Sequence, residues 1–232
     1  MVPNNIPLKL NSKFIILLAM IYTTASIAAD AVAFKFTYFF GLVESGATLL
    51  FPLTYILGDV ISEVYGWNTA MKIVWFGLAC EALFAIMITW VIHLPIYGIG
   101  QFQNEYMDIL GNIWLFVLAG IISNAVAGLL NVFFISKWKI MMHGRLFWVR
   151  SIISTCISEF ILIFLTVLIA FVPFIHFKAT MKVFADAYLL EIIYAMIFVL
   201  PAQLFVMILK RADGIDAYDY GVSYNPFKLV LN

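Results

Sequence analysis

The sequence predicts an all-α integral membrane protein, a bundle of six transmembrane helices, on three observations. The 232 residues are 65% hydrophobic and 11% charged, too few charges for the mixed polar surface of a water-soluble domain. The apolar residues run in long blocks, such as LFVLAGIISNAVAGLLNVFFI (115–135) and FILIFLTVLIAFV (160–172), and about 20 such residues carry a helix across the roughly 30 Å hydrocarbon layer. The short alternating segments of a membrane barrel are absent.

Taken in order, the first span covers residues 13–31, with Asp30 near its far end. Lys9 and Lys13 precede an apolar run over 14–29, and because further spans follow, this run reads as a retained helix rather than a cleaved signal. The aromatic stretch VAFKFTYFFGL then predicts a short surface or re-entrant helix near residues 32–44. The second span, 47–64, contains Pro52, Gly58, Asp59 and Glu63, the pattern of a kinked or interrupted helix.

Span three covers 69–93 and carries Glu81. Pro95 and Gly98 open a loop with Gln101, Gln103, Asn104, Glu105 and Asp108. Span four is 112–135, followed by the loop SKWKIMMHGRLFWVR. Span five is 151–172, then a loop with His176 and Lys178, then span six at 185–209. Residues 1–210 thus form the transmembrane domain, and 211–232 a polar, turn-rich tail outside the bilayer.

Lys and Arg set the orientation. With six spans both termini share a side, and that side holds ten basic residues (Lys9, Lys13, Lys72, Lys137, Lys139, Arg145, Arg150, Lys210, Arg211, Lys228), against Lys35, Lys178 and Lys182 opposite. Both termini are expected in the cytoplasm. Trp67, Trp138 and Trp148 fall at predicted span ends, as interfacial residues do.

Several function classes drop out. Net charge is zero with the basic residues dispersed, which leaves nucleic acid no electrostatic footprint. Cys80 and Cys156 lie in apolar spans without CxxC spacing, so neither a disulfide framework nor a zinc site is expected. There is no Walker A, GxGxxG or HExxH sequence. An intramembrane aspartyl protease would need two central aspartates, and only Asp59 is central. His93, His143 and His176 lie far apart near span ends. No catalytic residues, cofactor or metal are expected.

The informative residues are the ionisable ones inside spans: Asp59, Glu63, Glu81, Glu159 and Glu191. Each costs at least about 2.5 kcal/mol at mid-bilayer unless it faces protein or water. No Lys or Arg lies deep in a span, so protons, water, a cation or a ligand's N–H groups are expected to neutralise them. Tyr55, Asp59 and Glu63 share one helix face. Ser123, Asn124, Gly128 and Asn131 make a small, polar stripe on span four, read either as helix glue or as amide groups for a planar heterocycle. Thr155 and Glu159 share a face of span five, one turn below Ser151. Arg150 reads as interfacial. Glu191 and Tyr194 precede Pro201 in span six.

At residues 51–66 the run FPLTYILGDVISEVYG closely resembles the signature of the queuosine precursor transporter family, also described as vitamin-uptake-like transporters. The runs SNAVAGLLNVFFISKWK (123–139) and RSIISTCISEF (150–160) are similar to that family's fourth and fifth spans, and Pro201 to its final-span proline. The resemblance implies a six-span inner-membrane carrier of 7-deazaguanine bases, chiefly preQ0 and also preQ1, salvaged for tRNA modification. Its functional motif falls on Asp59, Glu63, Arg150, Ser154 and Thr155. Many members have a glutamine and then an aspartate in span five where this chain has Glu159 and Leu162.

The chemistry suits such a base. A guanine-like edge offers two donors that one carboxylate accepts together. Asp59 or Glu159 is expected to take that edge, with Asn124 or Asn131 on the carbonyl or pyrrole side and Thr155 nearby. Phe51 or Tyr55 would stack on the ring, and Glu63, Glu81 and Glu191 would serve proton or ion coupling. The expected partners are the base and membrane lipid, with no nucleic acid; the assembly is left open between monomer and homodimer. The alternatives are a substrate-binding subunit of an energy-coupling-factor importer, a carrier of another small heterocycle, or a non-transporting membrane component.

Overall fold

The structure is a computed structural model describing residues 12–33, 35–39, 41–95, 103–111, 113–171 and 176–228. Lys9, Gly98, Gln101 and Asn112, which entered the sequence reading, lie outside the described residues. Among the described residues the chain has seven α-helices, α1 (Ile15–Val32), α2 (Phe51–Tyr65), α3 (Trp67–Ile92), the short α4 (Gln103–Leu110), α5 (Ile113–Met141), α6 (Phe147–Thr166) and α7 (Phe177–Asp213), and all but α4 make a six-helix bundle. Among the described residues, five helical runs are long and apolar enough to cross a membrane: α1, α3, α7 and the runs containing α5 and α6.

The sixth member, α2, falls short alone. Fifteen residues rise only about 22 Å, and a 3₁₀ turn, Gly46–Leu49, extends it on the N-terminal side. The expected interruption is therefore at the helix start, where Pro52 sits in the first turn and its missing N–H costs nothing. Twelve of the fifteen α2 residues are buried, so α2 is the interior rod that the spanning helices surround. A long apolar exterior of Ile86, Trp90, Leu168, Leu200 and Leu204 faces outward, as lipid-facing helices require.

Residues 32–44 do not form the expected short helix. Phe36–Phe39 and Leu42–Ser45 pair as an antiparallel β-hairpin, β1 and β2, with Phe36 opposite Ser45 and Phe39 opposite Leu42. The stretch FTYF is aromatic and β-branched, which suits strands, and Gly41 at φ +91° supplies the turn conformation. The last span also starts earlier than expected: α7 begins at Phe177, so Lys178 lies in its first turn, and Lys182 pairs with Asp186 at 3.4 Å. α6 runs on through a π-helical turn, Val167–Phe171.

One end of the bundle collects the start of α1, the α2–α3 junction, the end of α5, the start of α6 and the end of α7. The Lys13 backbone N–H donates to Asp213 Oδ1 at 3.2 Å, so the start of α1 lies beside the end of α7. This is the end that carries Lys139, Arg150 and Lys210. Trp67, expected at an interface, is instead buried there against Phe133 and Tyr224.

The tail is not a free appendage. The Ala217 N–H donates to Val64 O at 3.0 Å, and Asp219 accepts from the Trp67 N–H (2.9 Å) and Ser136 Oγ (2.5 Å). Trp75 Nε1 donates to Pro226 O at 2.9 Å. Gly66 (φ +82°) explains the glycine that closes the α2 motif: a Cβ there would lie 2.8 Å from Asp219 Oδ1, so a side chain would displace the tail.

Candidate functional site

Two polar clusters lie along α2, one at the tail end and one a turn deeper. At the tail end Glu63 is fully buried, and its carboxylate accepts from Arg150 Nη1 at 2.9 Å and from Lys210 Nζ at 2.8 Å, with Lys139 Nζ 3.7 Å away. Lys139 also donates to the Glu63 backbone carbonyl, to Asp216 and to Ala217 O. This corrects two expectations. Buried bases do pair with an acid of the set, and Arg150 is an interior residue at 0% exposure rather than an interfacial one. The helix geometry explains it: Arg150 opens α6 at the tail end, and Lys139 sits two turns beyond Asn131, so both reach α2 from neighbouring helices.

One turn deeper, Asp59 Oδ1 accepts from Asn131 Nδ2 at 2.5 Å and Oδ2 accepts from Ser151 Oγ. These contacts tie α2 to α5 and α6. Asp59 lines a cleft between α2, α6 and α7 with Tyr55, Ser151, Thr155, Glu159 and Glu191. The cleft is narrow, with room for about one water between its walls. Glu159 is 1% exposed, and among the described residues neither of its carboxylate oxygens has a hydrogen-bond partner; Tyr55 Oη and Asn131 Oδ1 likewise have none there. A buried, unpaired carboxylate is costly, so the cleft is built to receive donors or protons. Val199 and Ala202 complete its α7 wall on either side of Pro201, whose ring removes one backbone donor from the helix at that level.

A second, wider cavity lies toward the hairpin end. Asp30, Thr48, Phe51, Phe116, Thr166 and Glu191 line it with smaller residues of α6 and α7. Glu191 belongs to both cavities.

The structure therefore gathers Tyr55, Asp59, Thr155, Glu159 and Glu191 in one cleft, with Asn131 behind Asp59. It separates others. Phe51 lines the wider cavity and not the cleft that holds Tyr55. Asn124 is buried on α5 but lines neither cavity. Glu81 is buried on α3 with Oε2 unpartnered, and lines neither. Glu63 stands in its ion-pair cluster. Ser151 and Asp30 were not singled out as site residues from sequence. Ser151 shares the Thr155 and Glu159 face at i, i+4, i+8, a legible signal; Asp30 stands near the end of a span in the sequence, and its burial in the cavity wall depends on contacts distant in the chain.

The family model for putative vitamin uptake transporters matches residues 45–206. A curated relative named "Probable queuosine precursor transporter", from Bacillus subtilis (strain 168), is 22% identical over 174 residues, covering 75% of this chain and 76% of the relative. No solved structure gives a significant match.

Proposed function

We propose that this chain, which belongs to the putative vitamin uptake transporter family, imports a 7-deazaguanine base, preQ0 or its aminomethyl relative preQ1, across the inner membrane for tRNA modification. The observation that carries the reading is Glu159, a buried carboxylate with no partner on either oxygen among the described residues, lining a cleft beside Asp59 and Tyr55. A guanine-like edge brings an N1–H and an exocyclic amine, two donors that one carboxylate accepts side by side. They would relieve the desolvation that an unpaired Glu159 bears. The curated relative's name points to the same substrate class.

In this reading Glu159 takes the base edge, Tyr55 offers its ring face and hydroxyl, and Thr155 supplies a hydroxyl at the wall. Asp59 has both oxygens occupied by Asn131 and Ser151, so it acts by joining three helices around the base and by its charge. Glu191 and Glu81, both buried, are the acids that take up a coupling proton. The Glu63 cluster closes the cytoplasmic end, with the tail laid over it, and release of the base requires that cluster to open. The chain acts as a carrier and not as an enzyme.

The test is uptake of labelled preQ0 by cells that neither make it nor import it otherwise, with and without this chain and without added ATPase partners. Accumulation that is lost on Glu159→Gln at equal membrane abundance is the expected result. Full uptake by Glu159→Gln would overturn the role of Glu159. Uptake that appears only with partner ATPases would favour the energy-coupling-factor reading.

A further inference from the structure

We infer that the wider cavity toward the hairpin is a separate loading site for a planar, N–H-bearing base, joined to the Glu159 cleft at Glu191. The inference rests on the transport reading above and adds a second binding station to it. Three observations on different elements carry it.

The first is Asp30 at the end of α1. Its side chain is 4% exposed, lines the cavity, and leaves Oδ2 without a hydrogen-bond partner. Among the described residues no lysine or arginine lines this cavity, so the carboxylate is met by a proton or by donors that arrive from outside. The second is the wall chemistry. Phe51 and Phe116 supply aromatic side chains and Thr48 and Thr166 hydroxyls, a mixture that suits a flat ring with a polar edge. The third is Gly120. A Cβ at that position would come 3.3 Å from Asp30 Oδ1, so the bare backbone of α5 leaves the carboxylate its room.

Glu191 is the wall residue that the two spaces share, so a base held by its N–H edge at Asp30 can pass to Glu191 and then to Glu159, always facing a carboxylate and never crossing apolar wall with its donors unpaired. The inner cleft is narrow when empty, whereas the outer cavity is the wider of the two. Loading at Asp30 therefore precedes the parting of α2, α6 and α7 that seats the base at Glu159.

The test is equilibrium binding of tritiated preQ0 to the purified full chain in lipid nanodiscs, comparing wild type, Asp30→Asn, Glu159→Gln and the double variant. Ala187→Leu serves as a second probe that narrows the outer cavity without touching charge. Glu159→Gln is expected to lose the inner station and keep binding at the outer one; adding Asp30→Asn to it should weaken that remaining binding at least tenfold, the effect of one lost charge-assisted hydrogen bond, and adding Ala187→Leu should weaken it at least tenfold by filling the cavity. Residual binding in Glu159→Gln that neither change alters overturns the loading site, as does complete loss of binding in Glu159→Gln alone. A wild-type chain that binds no preQ0 overturns the substrate reading itself, and the loading site with it.

Discussion

Arg150 at the start of α6 donates to the Glu63 carboxylate on α2 across 2.9 Å, with both side chains essentially without solvent exposure. Lys210 from α7 shares the same carboxylate at 2.8 Å, so one glutamate ties three helices. Removing one member of such a buried cluster leaves the rest uncompensated, a loss of about 3–5 kcal/mol. Glu63→Gln is therefore expected to lower the unfolding midpoint in detergent markedly. A cycle with Arg150→Gln should show coupling of at least about 1 kcal/mol. Additive effects of the two changes would mean that the pair does not act as a unit.

Asp216 fastens the tail to this cluster through Lys139 (2.6 Å) and Lys210 (2.9 Å). Burial alone would raise its pKa, but the hydrogen bonds from Lys139 and Lys210 outweigh burial and hold it below the ordinary value. A depressed carboxylate contributes stability that is present above its unfolded pKa, about 3.9, and is lost as pH falls through the lower folded value. Tail docking should thus be unchanged from pH 8 down to pH 5. Amide hydrogen exchange at Ala217, whose N–H is bonded to Val64 O, reads this directly. Slow exchange should persist across that range, and Asp216→Asn should speed it at every pH. Equal protection in the variant would show that the backbone contacts alone hold the tail.

The bundle was legible because hydrophobic blocks of spanning length admit few other folds, and the Tyr55–Asp59 face because i, i+4 spacing survives any rearrangement of neighbours. The partners were not legible. Lys139 and Lys210 sit near span ends in the sequence and counted only toward orientation, yet the long side chains reach inward to Glu63. The hairpin at 36–45 was missed because aromatic residues suit both an interfacial helix and a strand, and Asp30 was undervalued because its burial depends on contacts distant in the chain. The tail's role was invisible because it depends on contacts with Gly66, Ser136 and Trp75, none of them near it in sequence.

Glu44 on β2 is 0% exposed, and burial, with the charge of Asp186 adding to it and the Thr48 hydroxyl pulling the other way, pushes its pKa up to about 7. The folded value lies above the unfolded one, near 4.3. The folded state then holds a proton that the unfolded state releases, so the stabilising contribution is full below about pH 4.3 and is lost as pH rises through about 7. Thermal unfolding midpoints should fall between pH 5.5 and pH 8, and Glu44→Gln should reduce that fall. An identical pH profile in the variant would assign the dependence to other groups.

Asp59 provides the sharpest separation of charge from geometry. Its two oxygens accept from Asn131 on α5 and Ser151 on α6. Asn at position 59 can keep its carbonyl toward Asn131 Nδ2 and turn its amide toward Ser151, whose hydroxyl accepts as readily as it donates. Asp59→Asn therefore preserves the three-helix junction while removing the negative charge. Asn131→Ala does the reverse, leaving the charge and unpairing one oxygen at a cost of about 1–3 kcal/mol. If the charge serves the base, Asp59→Asn should cut preQ0 uptake more than tenfold at normal abundance and thermal stability, while Asn131→Ala should lower stability first. Both are read from the same membranes by uptake and by unfolding in detergent. Full uptake in Asp59→Asn would reduce Asp59 to a structural tie and leave Glu159 as the acid on which recognition rests.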